Sequence, residues 1–165
     1  MKLKFALGFL AVGLWSGALL MPAFAHHSTA KSYDLTKPMT LKGRVTGLVW
    51  VNPHVAILME VRKANGVTET WALELGAVQT LLNAGWKKSD LSVGNQVTAT
   101  AFPPKTDVKE DRTWAVPTGY PPSEMMDLYK KAAELKSQGR MAHCSDITLA
   151  SGKKLTYVNI WQTPQ

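Results

Sequence analysis

The sequence predicts a mostly β fold: a small OB-like Greek-key barrel of about five to six strands, with one short helix and an inserted amphipathic helix. Apolar and polar residues alternate with period two in several separate runs. Glycines punctuate the longest run, where a small barrel has to bend or bulge. The order of elements, three strands, a helix and then more strands, is that of the OB barrel. A sandwich of similar strands is the competing arrangement.

The chain of 165 residues opens with Lys2 and Lys4, followed by a stretch from Phe5 to Leu20 without a charge. Ala23 and Ala25 then stand three before and one before a cut after Ala25, the small-residue pattern of a signal peptide. The apolar stretch is shorter than the ~20 residues a spanning helix needs. Residues 1–25 are therefore expected to be removed, leaving 26–165 as one periplasmic domain that does not span the membrane. Cys144 is the only cysteine, so no disulfide forms within the chain and a packed core must carry stability. Loss of Lys2 and Lys4 lowers the formal charge from +7 to +5, basic but short of a dedicated nucleic-acid binder.

From Met39 the first strand places Leu41, Gly43, Val45, Gly47, Val49 and Val51 on one face. Lys42, Arg44, Thr46, Leu48 and Trp50 would take the other. Asn52-Pro53-His54 ends it, because proline donates no ladder hydrogen bond and holds its predecessor extended. Val55 to Val61 resumes the alternation, and Asn65-Gly66 turns the chain into Thr68 to Leu75. Ala77 to Ala84 reads as a short helix closed by Gly85. Gln96 to Phe102 reads as a fourth strand, and Asp146 to Trp161 as a terminal hairpin turning at Ser151-Gly152. Between them, residues 103–142 form an insertion rich in proline at its start. In it Ser123 can cap a helix over about 123–138, with Met125, Leu128, Ala132 and Leu135 at helical spacing and Gly139 ending it. Its apolar stripe would dock on the barrel or on an envelope protein partner.

The candidate chemistry centres on histidine. A cut after Ala25 makes His26 the first residue, with a free α-amine of pKa ~7.7–8.0 beside its own imidazole. Amine and Nδ1 of one residue close a chelate ring, and a second imidazole opposite them completes three nitrogens in a T, as Cu(II) favours. Such a site is a histidine brace. His54 is the preferred partner imidazole, then His27, then His143. Copper is the expected ion, with zinc as the alternative. A softer set, Met141, His143 and Cys144, suits Cu(I), although Cys144 would point away from the other two along a strand. Glu60, Glu69 and Glu74 alternate with apolar residues as solvent-facing strand positions, the last placed where it could orient His54.

No nucleophile constellation or glycine-rich phosphate loop is present, so the residues argue for a binder rather than an enzyme. The rival to copper is a metal-free module for glycan, lipid or protein, using the face that Trp50 would share with Lys42 and Arg44 beside Asn52. Tryptophans in a small barrel also serve to plug its core or its open end.

"AHHSTAKSYD", "LKGRVTGLVWVNPH", "WALELGAVQTLLNAGW" and "LSVGNQVT" together resemble a family of small exported bacterial proteins of unknown function. Their mature chains start His-His-Ser and carry Trp-Val/Ile-Asn-Pro-His, and the resemblance implies export and an OB-like barrel. The motif positions here are His26, His27, Ser28, Trp50, Asn52, Pro53, His54, Trp71, Glu74, Gly85 and Trp86. The segment from Pro103 to Ala142 departs from that pattern.

Overall fold

A computed structural model describes residues 29–105 and 123–157. The expected signal peptide, His26, His27 and residues 106–122 of the insertion lie outside the described residues. The elements are α1 (Thr29–Ser32), β1 (Met39–Val49), β2 (Ala56–Arg62), β3 (Thr68–Glu74), α2 (Val78–Asn83), a 3-10 turn at Lys88–Asp90, β4 (Gln96–Phe102), α3 (Ser123–Ser137), β5 (Met141–Leu149) and β6 (Lys154–Thr156). No helix among the described residues is long and apolar enough to cross a membrane.

β1 pairs antiparallel with both β2 and β4, β2 with β3, and β4 with β5. A parallel pairing of β3 with β5, from Ala72 opposite Met141 to Glu74 opposite His143, closes five strands into a barrel. β6 adds to the edge of β5. This is the closed Greek-key arrangement of an OB-like barrel. The β2–β3 hairpin turns at Gly66, whose φ of 83° suits glycine.

Two apolar layers hold it. The interior is filled by residues such as Val45, Ile57, Met59, Leu73, Leu81 and Trp86. Outside the barrel, Tyr129, Ala132 and Leu135 of α3 pack on Val49, Val51, Ala56, Leu58, Ala72 and Met141. The apolar stripe of the inserted helix is thus spent on its own barrel. Gly47 lets α3 approach: a Cβ there would lie 2.9 Å from Leu128 Cδ2.

β1 departs from the strict alternation expected of it. Its register with β2 slips between Val45, opposite Met59, and Gly47, opposite Leu58, so that Thr46 is a β-bulge. One extra residue turns every later side chain to the other face. Leu41 and Val45 point inward, but beyond the bulge Val49 and Val51 point outward to α3, while Leu48 and Trp50 pack on the interior. Trp50 therefore does not share a face with Lys42 and Arg44.

At Gly43 there is no room for a side chain, since a Cβ there would collide with the carbonyl oxygen of Glu60 on β2. That atom is backbone and cannot swing aside. Gly43→Ala should cost roughly 1–3 kcal/mol, as overpacking does. Urea unfolding should show a lower midpoint at unchanged slope; an unchanged midpoint would mean that the two strands can separate freely here.

Candidate functional site

At one end of the barrel, a carboxylate, two imidazoles and several phenols converge beneath the first described residues. After α1 the backbone runs along the end of β4: Asp34 N–H donates to Pro103 O at 2.9 Å, and Lys105 N–H donates to Ser32 O at 2.9 Å. Tyr33 forms a bridge with Pro104 and is buried. Its hydroxyl donates to Glu74 Oε2. Its ring lies over that of His143, with centroids 5.6 Å apart.

Glu74 is not the solvent-facing acid that alternation predicts; it is 6 % exposed. The outer face of β3 is covered at this point by the segment carrying Tyr33, a long-range contact that a period-two pattern cannot reveal. His143, 3 % exposed, lies opposite Glu74 across the parallel pairing. Its ring is enclosed by Tyr33, Phe102 and Tyr157, the last two at centroid distances of 6.5 and 5.9 Å.

His54 reaches this end because the link between β1 and β2 folds back along β3. Leu75 N–H donates to Val55 O at 2.9 Å, and Val55 N–H donates to Gly76 O at 3.0 Å. The Asn52–Pro53 peptide is cis. Asn52 is committed to the scaffold, its Oδ1 accepting from Val78 N–H at 3.1 Å at the start of α2. The His54 ring is 31 % exposed, with Nδ1 at 3.3 Å from Glu74 Oε1 and 3.3 Å from Leu75 O. Both neighbours are acceptors, so whenever the ring is neutral its proton belongs on Nδ1 and Nε2 is the unprotonated nitrogen.

Burial, with repulsion from the His54 imidazole when that ring is charged adding to it, pushes His143 down from its ordinary 6.5 to about 4. The buried ring is therefore neutral at pH 7. Tyr129 and Tyr157 are both pushed up, first by burial and then by the negative charge of Glu74, so their phenols stay protonated. Gly76 is required because the Tyr157 hydroxyl occupies the space a Cβ would take.

The depressed His143 has a consequence for stability. The unfolded chain takes up a proton near pH 6.5, whereas the folded one resists until about pH 4. Stability due to this group is thus complete above pH 6.5 and is lost as pH falls toward 4, about 3 kcal/mol in all. Urea unfolding of metal-free protein at pH 7, 5.5 and 4.5 should show this decline, and His143→Phe should flatten it. Equal slopes in the two proteins would remove His143 as its source.

The remaining candidates do not join this cluster. Met141 is buried under α3, and Cys144 is buried in the barrel interior, where burial pushes its thiol far up. Met141, His143 and Cys144 thus lie in three different surroundings. Lys42 and Arg44 are exposed on the outer face, Arg44 paired with Glu60 at 2.9 Å. Among the described residues, no group of three or more His, Cys, Asp or Glu side chains could hold a metal ion. Tyr33, Tyr157 and the burial of Glu74 escaped the sequence reading. The one signal for them was a glycine, Gly76, directly after the last apolar residue of a strand.

Fold and cluster together define a small OB-like barrel with a His–Glu–Tyr cluster at one end. The chain belongs to the DUF6152 family, a family of unknown function, whose model matches residues 16–113. That span takes in His54 and Glu74 and stops short of β5 with His143. No curated protein and no solved structure matches the chain.

Proposed function

We propose that this is an exported, periplasmic copper-binding protein, acting as a carrier or scavenger, with a histidine-brace-like site. The amine and imidazole of His26, freed by cleavage after Ala25, meet the imidazole of His54, with His27 nearby. The observation that carries the reading is the Glu74 carboxylate at His54 Nδ1. A ligating histidine characteristically gives its other ring N–H to a carboxylate or backbone carbonyl, which fixes the tautomer and raises the basicity of the ligating nitrogen. His54 Nδ1 is hydrogen-bonded to the Leu75 carbonyl and has the Glu74 carboxylate beside it at the same 3.3 Å.

The position of Tyr33 adds support. Tyr33 is bonded to the same carboxylate, and the seven residues back to His26, ~25 Å when fully extended, are enough chain for the first residue to return to His54. The described residues supply one oriented imidazole, and His26 supplies the other nitrogens. Copper suits an all-nitrogen T better than zinc, which prefers a tetrahedral set.

The chain beginning at His26, titrated with copper against a competing chelator, should bind one equivalent tightly. Leaving Ala25 ahead of His26 turns the amine into an amide and should weaken binding roughly 100-fold. Equal affinity of the two would overturn the brace, and tighter binding of zinc than of copper would overturn the choice of metal.

A further inference from the structure

The structure assigns a second ligand site, separate from His54, to a fork in the barrel wall, and its chemistry fits a single-chain lipid anion, an alkyl chain headed by a carboxylate. β1 pairs with β2 only from Gly43, opposite Val61, onward. Its first residues, Met39 to Lys42, pair with β4 alone. The β2–β3 hairpin meanwhile runs on past Val61 to Asn65. The two strands diverge, and a groove of about 740 Å³ opens between them. That size lies within the roughly 300–1,000 Å³ of small-molecule pockets.

Leu41 and Val61 form a buried apolar floor, with Met39 and Trp71 half-buried beside it. The indole N–H of Trp71 is already donated to Glu69 Oε2 at 3.2 Å, so the ring offers the groove its apolar surface. Thr40 and Asn65 are the uncharged polar residues of the lining, and the floor between them is apolar surface that matches a hydrocarbon chain. The rim is cationic. Lys63 is paired with Glu69 at 2.6 Å, but among the described residues neither Lys42 nor Arg62 has a carboxylate partner. The same two side chains also border a neighbouring groove of about 620 Å³ that Arg44 lines. An apolar slot ending at two exposed cations is complementary to one anionic head on one chain.

The test is calorimetric titration of the purified protein with monomeric dodecanoate, beside dodecanol, acetate and vesicles of phosphatidylglycerol. Dodecanoate should bind with equimolar saturation, and dodecanol roughly tenfold more weakly. Acetate should not bind. The exposed pair Lys42→Glu and Arg62→Glu, which leaves the core intact, should cost roughly tenfold or more, whereas His54→Ala should change nothing. Equal binding of dodecanol, full affinity in the double variant, loss of binding in His54→Ala, or binding to vesicles alone would each overturn the assignment. The result is independent of copper binding, so either proposal can fail alone.

Discussion

Glu74→Gln should weaken copper binding by the chain beginning at His26 roughly 10–100-fold, the usual loss when the group behind a ligating histidine is removed. Glutamine keeps the size of the side chain and removes its charge. The carboxylate now faces His54 Nδ1 with one oxygen and receives the Tyr33 hydroxyl on the other. An amide has a single oxygen for two donors, so either His54 or Tyr33 meets an N–H instead. Leu75 O still holds the proton on Nδ1, but the negative charge that raises the basicity of Nε2 is gone. Competition titration reads the affinity, and urea unfolding of the metal-free variant separates it from any loss of fold. An unchanged affinity would mean that the carboxylate does not prepare His54 for a metal.

Trp86→Ala should lower stability by roughly 3–5 kcal/mol, the cost of emptying a large aromatic site in a core. Trp86 is 1 % exposed, and its indole N–H donates to Thr156 O at 2.9 Å, so one side chain fills the interior and ties down β6. Its position is set by the end of α2. Trp86 N–H donates to Leu81 O and Gly85 N–H to Leu82 O, both at 3.0 Å, with Gly85 at φ 84°: a Schellman ending that swings the indole into the barrel. Calorimetry should record a fall in melting temperature of roughly 10–20 °C, with Trp86→Phe recovering part of it. A fall of only a degree or two would show that neighbouring side chains can close the space.

The barrel was legible because each strand carries its own local signal. Gln96–Phe102 alternates cleanly, Asn65-Gly66 marks its turn, and Gly85 and Gly139 end their helices with φ of 84° and 69°. The bulge at Thr46 was not legible. β1 is apolar on both faces beyond it, Leu48 and Trp50 inward and Val49 and Val51 toward α3, so a change of face leaves no trace in the pattern. His54 was legible as the residue where a strand ends and a loop begins, and Glu74 only as an acid near Trp71 placed where it could orient that histidine. The depth of the site was not: Glu74 looks solvent-facing until Tyr33, 41 residues earlier, is laid over it. In the sequence His143 groups with Met141 and Cys144, which share its strand and not its surroundings.

The parallel contact of Ala72 with Met141 joins residues far apart along the chain, with β4, α3 and residues 106–122 between them. The entropy lost in closing such a loop grows only with the logarithm of its length, so doubling the intervening segment adds about 0.6 kcal/mol. Evolution can therefore lengthen or rewrite that excursion while the ring of strands stays shut. The penalty falls on speed instead, because the last stave cannot dock until a distant partner has been found, and folding should be slow for a domain of this size.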